Sequence, residues 1–430
     1  MAVDGAWLAD ARSLGWQAAM SEAPPPGLPA VVELWGPRLG TGRKWLGGAF
    51  TQSGDALYGM PSHARYVLRL DLANGEVRAL PGPTLMGKFK WLRGVRAADG
   101  SVYGIPACGV GVLRISAEPE CAVSVIGEDV LPRGEWLWHG AQLGRDGSIY
   151  AIPANAERVL KIEPSTQTVS LIGPVLQPGV KNKWYGGISA QDGSIWGMPY
   201  NASAALKIVP ETGEVREVGC FPVGGWKWHG GTRSGSAIVS IPSHATAVLL
   251  IDPATEELRQ VGGPYGGHFP AGHGRYQWGG AVTDGAGIVW AIPSDTDFAL
   301  RIDPFSGAVS KVGEGQLTMQ RIKWQGGVYC AADDSVYCIP CDADAVLVIH
   351  AATGELSFVG KLPKQAKKFQ GAATARDGTI WSLPEACPRR ASTCCASARP
   401  PSPWASPPPS RSMCATARPT LCLARMMNMS

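Results

Sequence analysis

The 430-residue sequence is poor in charge and lacks the features of a membrane-spanning or secreted chain. Charged residues make up 17% of it, and no stretch approaches the roughly 18–20 consecutive apolar residues that cross a bilayer. Residues 1–30 lack the basic start and apolar run of a signal peptide. The six cysteines before residue 386 have no framework spacing, so we expect reduced, buried thiols. The sequence therefore predicts a cytoplasmic protein without a membrane segment, and its composition excludes a coiled coil.

The net charge of +4 comes from one end of the chain. The last 45 residues carry six arginines and no acidic residue, whereas the first 385 hold 33 Lys and Arg against 35 Asp and Glu, a net of −2 (33 − 35). A body this close to neutral offers no electrostatic basis for binding nucleic acid or an anionic membrane surface. We therefore expect neither of them as a partner.

A repeat is the main feature that the sequence does contain. Each unit has an anchor aromatic before one glycine or a Gly-Gly pair, then a turn, a strand that ends in Pro, and a second turn. The anchors are Trp45, Trp91, Trp138, Trp184, Trp228, Trp278, Trp324 and Phe369. The gaps between them are 46, 47, 46, 44, 50, 46 and 45 residues, which is too regular to arise by chance.

Each unit has the pattern of four short strands. Aromatic and β-branched residues alternate with small or polar ones, and Asp-Gly and Pro-x-x-Gly turns separate them, as in 192–193 and 210–213. Four strands in about 46 residues, repeated, predict an all-β fold, a β-propeller with eight four-stranded blades. The eighth unit lacks a third strand, so its blade is incomplete. Seven blades with a loose extra hairpin is the alternative.

The repeat divides the chain into three segments. Residues 1–30 form an extension with little expected order, and residues 31–385 form the propeller. Residues 386–430 form a tail rich in Pro, Ala, Ser, Arg and Cys, which is either disordered or not the native continuation of the repeat. Residues 31–36 match the fourth strand of a unit, so we expect this N-terminal strand to complete the eighth blade and close the ring.

Two recurrent polar elements fall on one face of the predicted disc. The first is a lysine before the anchor aromatic, replaced by Leu137 and Gln277 in two units: Lys44, Lys90, Lys183, Lys227, Lys323 and Lys368. The second is the residue two positions after the Pro of strand two: His63, Cys108, Asn155, Asn201, His244, Asp295 and Asp342. They predict a face that binds a protein, a peptide or a glycan. In the alternative, the lysine stems cover the tryptophans with their ammonium groups in solvent, and the polar side chains cap their own loops.

Histidines supply the remaining candidates. His268 and His273 lie in the longest loop, residues 262–276, which we interpret as a specificity loop. His244, Asp295 and Asp342 fall in adjacent units and form the His/Asp grouping that the topology brings together, a weak candidate for a catalytic or metal site. His139 and His229 each follow an anchor Trp and point away from it along the strand.

The phrase Asp-Gly-x-Ile-Trp…Ile-x-Pro-x-Thr-Gly-x-Val resembles the repeats of the virginiamycin B lyase-like propellers and, more loosely, those of NHL-type propellers. The resemblance covers residues 31–385. It implies a propeller fold and, for the lyases, a catalytic His with acidic metal ligands in a His-x-Glu setting. No His in this sequence is followed two residues later by Glu, so no catalytic role carries over. The Lys-Trp-x-Gly-Gly opening also departs from that family.

The sequence favours a non-catalytic binding or scaffold propeller, a monomer without cofactor, that presents one face to a protein, peptide or glycan. The alternative is a lyase- or hydrolase-type propeller with a divalent metal at the central channel. The regular repeats and the lack of paired acids and His at ligand spacing favour the first interpretation.

Overall fold

The computed structural model describes residues 30–32, 44–265, 276–375, 378–385, 396–398 and 426–428. This part of the chain is all-β and contains no helix, and hence none long and apolar enough to span a bilayer. The expectations for residues 1–29, for most of the tail, and for the loop with His268 and His273 lie outside the described residues.

Seven blades, numbered 1 to 7 along the chain, each contain four strands that run from the innermost to the outermost. The first strands are Trp45–Phe50, Trp91–Arg96, Trp138–Leu143, Trp184–Ser189, Trp228–Ser234, Trp278–Thr283 and Trp324–Cys330. The second strands are Ala56–Pro61, Val102–Pro106, Ile149–Pro153, Ile195–Pro199, Ala237–Pro242, Val289–Pro293 and Ser335–Pro340. The third strands are Leu68–Asp71, Val112–Ile115, Val159–Glu163, Ala205–Val209, Val248–Ile251, Ala299–Ile302 and Val346–His350. The fourth strands are Val77–Ala79, Val123–Ile126, Thr168–Ile172, Glu214–Val218, Leu258–Val261, Val309–Val312 and Leu356–Val359.

In every blade the four strands pair in sequence order and antiparallel, which confirms the predicted blade. The anchor Trp pairs with the Pro that ends strand two, as Trp184 does with Pro199, and in this blade the register then shifts at the Gly186-Gly187 pair. Gly186 has a φ of +76°, a conformation that costs glycine little and other residues more. The Gly-Gly pair therefore forms a bulge in the innermost strand.

The eighth blade is partial, as expected, but its third strand comes from the tail. Ala373–Thr374, Ile380–Ser382 and Ala396–Ala398 form a three-stranded sheet. Phe369 takes the anchor position and pairs with Pro384. One buried hydrophobic cluster contains Phe369 and Trp381 of this blade together with Trp45 of blade 1 and Ile339 of blade 7. Blade 8 therefore packs between blades 7 and 1, and the ring of eight blades is closed.

The N-terminal strand, Ala30–Val32, pairs with Met426–Asn428 in a separate two-stranded sheet. Val32 nevertheless lies where an eighth outer strand belongs. Gly173 follows the outer strand of blade 3. A Cβ added to it would lie 2.6 Å from the Cβ of Val215 in the outer strand of blade 4. At Gly360, after blade 7, the corresponding distance is 2.5 Å to the Cβ of Val32. Val32 thus contacts blade 7 as each outer strand contacts the blade before it.

Ion pairs join some neighbouring blades near their hairpins. Glu256, in the last hairpin of blade 5, accepts hydrogen bonds from Lys207 and from Arg216 of blade 4. The Arg216 guanidinium and the Lys207 ammonium lower the pKa of Glu256 to about 2. The residue occupies a left-handed position, with a φ of +61°, where other blades have a glycine such as Gly213. The ion pairs therefore hold a backbone conformation that is unfavourable for glutamate.

Replacement of Glu256 with Gln is expected to lower the free energy of unfolding by about 1 kcal/mol at pH 7, since the pair is partly exposed. Because the folded pKa lies below the unfolded value, this stabilisation is present above about pH 4.3 and is lost as the pH falls toward 2. Urea titrations of both proteins at pH 7 and about pH 3 test this. A difference that stays constant with pH would contradict it.

Candidate functional site on the upper face

The antiparallel order of the strands divides the loops between the two faces of the disc. We call the upper face the one that carries the loops between strands two and three and the loops that precede each innermost strand. The lower face carries the other two hairpins of each blade. The recurrent lysines and polar residues all lie on the upper face, as the sequence predicts.

The anchor tryptophans are built into the blades. All seven are buried, with at most 4% of their surface exposed. In each case the indole N–H donates to a backbone carbonyl about 20 residues further along, for example from Trp184 to Ala204 at 2.7 Å and from Trp91 to Gly111 at 2.8 Å. These residues stabilise the ring and are not available to a ligand.

The lysine side chains are buried as well. Lys90, Lys183 and Lys323 have 1–2% of their surface exposed. The Lys323 ammonium group donates to three carbonyl oxygens, those of Ser294 at 2.9 Å, Thr296 at 2.6 Å and Gln320 at 3.3 Å. Lys90 makes the equivalent bonds to blade 1. These ammonium groups join each blade to its predecessor and do not point into solvent, in contrast to both sequence-based interpretations.

Other lysines of the set also donate to backbone carbonyls. The Lys183 ammonium group donates to Ala156 of blade 3, whereas those of Lys227 and Lys368 donate to Gly224 and Gln365 in the loops that precede them. In blade 6, where glutamine replaces lysine, the Gln277 side-chain N–H₂ donates to the carbonyls of Ser243 at 3.0 Å and Ala245 at 3.4 Å. Burial lowers the pKa of Lys90, Lys183, Lys227 and Lys323 to about 8, and it also lowers those of Lys44 and Lys368.

The backbone of these residues forms a belt around the upper face. The N–H of Lys90 donates to the carbonyl of Ser62 in blade 1, at 3.1 Å, and other blades repeat the bond. The N–H of Lys44 donates to the carbonyl of Glu385 in blade 8, also at 3.1 Å. This last bond joins the two ends of the propeller, which supports the closed ring.

The polar side chains two positions after the Pro of strand two also bind the next blade. The Oδ1 atoms of Asn201 and Asp295 accept the backbone N–H of Trp226, at 3.0 Å, and of Ile322, at 2.8 Å. Asn155 and Asp342 accept the corresponding N–H groups of Asn182 and Lys367. Each donor directly precedes the recurrent lysine and has a positive φ, +51° for Trp226. The polar residues thus fix the loop of the neighbouring blade, and Asn155 and Asn201 also donate to backbone carbonyls of their own blade.

Histidine and cysteine occupy three positions of this polar ring. The His63 ring contacts Phe89 edge-on, with centroids 4.4 Å apart, and the exposed His244 lies 6.4 Å from the indole of Trp226. Cys108 is half-buried and donates its backbone N–H to the carbonyl of Phe89. His63 thus contacts the loop that precedes the next blade, whereas His244 lies beside the loop that precedes its own blade.

The grouping of His244, Asp295 and Asp342 does not fit a metal site. Asp295 is fully buried, and its Oδ1 accepts the Ile322 N–H and the Ser294 hydroxyl, while the Oδ1 of Asp342 accepts the Lys367 N–H. Among the residues that the structure describes, no group of three or more His, Cys, Asp or Glu side chains could hold a metal ion.

The sequence reasoning missed a set of aromatic residues on the upper face. They directly precede the recurrent lysine or its replacement, and their repetition at that position is the signal that could have identified them: Phe89, Trp136, Trp226 and Tyr276. Phe89 and Trp136 pack together with centroids 4.9 Å apart and remain half-buried. Phe89, Trp136 and Trp226 have left-handed backbone conformations, with φ of +49°, +55° and +51°. Asn182, Ile322 and Lys367 have the same conformation at the equivalent position, so it belongs to the repeat and is not particular to the aromatic residues.

Histidine and tyrosine rings continue this aromatic surface toward the axis. His139, Tyr185 and His229 each follow the anchor Trp of a successive blade, so they lie on the opposite side of the innermost strand from it. The His139 ring stacks on Tyr185 at 3.6 Å between centroids, and His229 lies 4.1 Å from Tyr185 on its other side. Tyr276 packs 5.4 Å from His229. All four are at most 9% exposed, so they form the floor beneath the upper face.

Exposed apolar residues are concentrated on the same face. Eight large hydrophobic residues in the described part of the chain are exposed. Six of them lie in upper-face loops: Met86, Val110, Val130, Val175, Val223 and Met319. The other two are Phe305, in a lower-face hairpin, and Phe358, in an outer strand. The upper face therefore has an apolar rim around an aromatic floor.

Comparison with known proteins supports the fold. No known family and no curated protein matches the sequence. Among solved structures, the Dos1 propeller is similar with a TM-score of 0.58 and 10% identity, over 86% of this chain and 94% of that one. A streptogramin B lyase is similar with a TM-score of 0.54 and 12% identity, over 86% and 97% of the two chains. Virginiamycin B lyase from Staphylococcus aureus has a TM-score of 0.52 and 14% identity, over 72% and 96%.

At these identities the likeness concerns the fold alone and not the chemistry. These solved structures therefore confirm the propeller fold that the resemblance of the repeats implies. Together with the seven four-stranded sheets and the partial eighth, these similarities show that the chain is a β-propeller.

Proposed function

We propose that this protein is a binding propeller that holds a protein or peptide partner on its upper face. The observation that carries the proposal is the concentration of exposed apolar residues there, six of eight. Exposed apolar patches on a folded protein mark interaction sites, and aromatic residues supply much of the binding energy at their centres. The half-buried Phe89, Trp136 and Trp226 lie in loops of the same face.

The charges of the face also favour an apolar partner surface over an anionic one. The lysine amines are bonded to carbonyls within the chain and do not form a cationic ring. A glycan remains the other ligand class with which the aromatic floor is compatible. The six cysteines with described positions are free thiols, which agrees with the reducing cytoplasm that we propose as its location.

The test is a pull-down with two variants of matched exposure. Val223 on the upper face and Phe305 on the lower face each have 64% of their surface exposed. Val223→Asp is expected to reduce recovery of the partner at least tenfold, since a charge is placed in an apolar interface, on the order of 1.4 kcal/mol or more. Phe305→Asp is expected to leave recovery unchanged. Circular dichroism checks that both variants are folded.

Equal recovery with both variants would contradict the proposal. The same purified proteins can be applied to a glycan array, where binding that Val223→Asp abolishes would assign the face to a glycan. The lyase- or hydrolase-type alternative lacks support from the residues that the structure describes, because Asp295 and Asp342 are bonded to backbone N–H groups.

A further inference from the structure

We propose that the partner anchors one peptide segment on a patch at the junctions of blades 1, 2 and 3, and that this segment carries acidic residues on one side of an apolar anchor and basic residues on the other. The inference rests on the proposed function, since it names the chemistry of the partner at the same face. Four loops form the patch, and all of them lie within the described residues: 62–67, 80–90, 107–111 and 127–137. We call it the Phe89–Trp136 patch.

Backbone hydrogen bonds fix the order of these loops around the ring. The loop before blade 2 bonds to blade 1, where the N–H of Leu85 donates to the carbonyl of Arg65 at 3.0 Å. The loop before blade 3 bonds to blade 2, where the N–H of Leu137 donates to the carbonyl of Ala107 at 2.8 Å. The first two loops therefore lie at the junction of blades 1 and 2, and the last two lie at the junction of blades 2 and 3.

The centre of the patch is apolar. The ring centroids of Phe89 and Trp136 are 4.9 Å apart. Both rings pack on a small cluster of buried residues: Leu46, Leu92 and Ala107. The four loops also carry three of the six exposed apolar residues that the structure describes on the upper face: Met86, Val110 and Val130. Apolar surface is thus concentrated at two of the eight junctions, where it can receive an apolar side chain of a partner.

Charges of opposite sign flank this apolar centre. The two loops at the junction of blades 1 and 2 contain no acidic residue, and they expose Arg65 and Lys88. The loop before blade 3 exposes one cation and three carboxylates, a net of −2 (1 − 3): Arg133, Glu128, Asp129 and Glu135. Lys88 and Glu135 each directly precede one of the two aromatic residues, so the rings lie between a basic flank and an acidic flank.

This distribution of charge specifies the segment that fits. A segment that crosses the patch from blade 1 to blade 3 meets cations first and carboxylates last. If it carries one sign throughout, it is attracted at one end and repelled at the other, whereas opposite charges at its two ends are attracted at both. Its acidic end therefore lies over blade 1 and its basic end over blade 3, with an apolar side chain on Phe89 and Trp136 between them.

Selection of a random peptide library on the whole chain tests the proposal. On the unchanged protein, the enriched peptides are expected to carry an apolar residue with acidic residues on one side and basic residues on the other. Arg65→Glu with Lys88→Glu makes both flanks acidic and is expected to enrich peptides with basic residues on both sides. Glu128→Lys with Glu135→Lys makes both flanks basic and is expected to enrich peptides with acidic residues on both sides.

A synthetic peptide with the sequence enriched on the unchanged protein measures the effect in solution. By fluorescence anisotropy, each double variant is expected to bind it at least about tenfold more weakly, because one end of the peptide then meets a like charge. Trp136→Ala is expected to weaken binding by a similar factor through the loss of apolar contact. Glu211→Lys with Glu355→Lys reverses two exposed charges in lower-face hairpins and is expected to leave the affinity unchanged. Circular dichroism checks that all variants are folded.

The proposal is overturned if the double variants enrich the same sequences as the unchanged protein, or if the unchanged protein enriches no sequence with an apolar anchor. Dimerisation in sedimentation velocity that both double variants abolish, without enrichment of any peptide, would assign the patch to a second copy and also overturn it. Recovery of a partner that Val223→Asp abolishes and the charge-reversed variants leave unchanged would retain the proposed function and reject this segment.

Discussion

Replacement of Lys323 with Met is expected to lower the free energy of unfolding by about 3 kcal/mol at pH 7. Methionine fills a similar volume but cannot donate, so the carbonyls of Ser294 and Thr296 lose the ammonium group to which they are bonded at 2.9 Å and 2.6 Å. Buried acceptors without a partner are the main cost of such a change. Urea denaturation followed by tryptophan fluorescence measures the loss as a lower midpoint.

The chain itself provides the matched control. Gln277 takes the lysine position in blade 6. Its side chain donates to the two equivalent carbonyls of blade 5, those of Ser243 and Ala245. Lys323→Gln is therefore expected to lose less than half as much stability as Lys323→Met. Lys361→Met, at an exposed lysine on the same face, is expected to have no effect. Equal losses for Met and Gln at position 323 would show that the hydrogen bonds are not the cause.

The effect should also depend on pH. Burial lowers the pKa of Lys323 to about 8, whereas in the unfolded chain it is about 10.4. Between these values the unfolded chain holds the proton and the folded one has released it, so this residue stabilises the protein increasingly as the pH rises. The difference between the unchanged protein and Lys323→Met is therefore expected to grow from pH 7 to about pH 9.5. A constant difference would mean that the ammonium group stays charged at its carbonyls.

The second large effect is expected at an anchor tryptophan. Trp184 is fully buried, and its indole N–H donates to the carbonyl of Ala204 at 2.7 Å. Trp184→Ala leaves a cavity between two blades and is expected to cost about 4 kcal/mol. Trp184→Phe keeps most of the packing and loses the hydrogen bond, for a cost of about 1.5 kcal/mol. Blade 8 already has Phe369 at this position, so the phenylalanine variant is expected to fold.

Thermal or urea unfolding measures the stability of both Trp184 variants. Hydrogen exchange, followed separately for each blade, shows where in the ring the stability is lost. Exchange is expected to increase first in blades 3 and 4, because Trp184 belongs to the cluster that contains Tyr150 of blade 3 and Ile195 of blade 4. An equally large loss for Ala and Phe at position 184 would point to the hydrogen bond, and a uniform increase in exchange would contradict the local role.

The repeat predicted the fold because its signals are local. The Trp positions, the Pro that ends strand two and the turn glycines each report on a few neighbouring residues, and seven complete blades follow from them. The third strand of blade 8, Ala396–Ala398, escaped prediction because the tail has no strand period. The pairing of Ala30–Val32 with Met426–Asn428 escaped for the same reason.

The sequence predicted which face carries the candidate residues, but it did not predict what their side chains bind. The lysines and polar residues lie on the expected face, yet their partners are backbone carbonyl and N–H groups of the neighbouring blade. Such groups have no signature in the sequence, so the burial of Lys183 and the bond from Trp226 to Asn201 could not be foreseen. The exposed residues Val175 and Met319 gave no signal either, because single apolar residues in loops are common.

The contact of Val32 with Gly360 can form only late in the synthesis of the chain. The two residues are 328 positions apart (360 − 32). At about 10 residues per second, roughly half a minute of synthesis separates them. Until then the first and the seventh blade each keep one apolar side uncovered, and the nascent chain must reach blade 8 before either is shielded. A slow ribosome would therefore lengthen the interval in which this protein can aggregate.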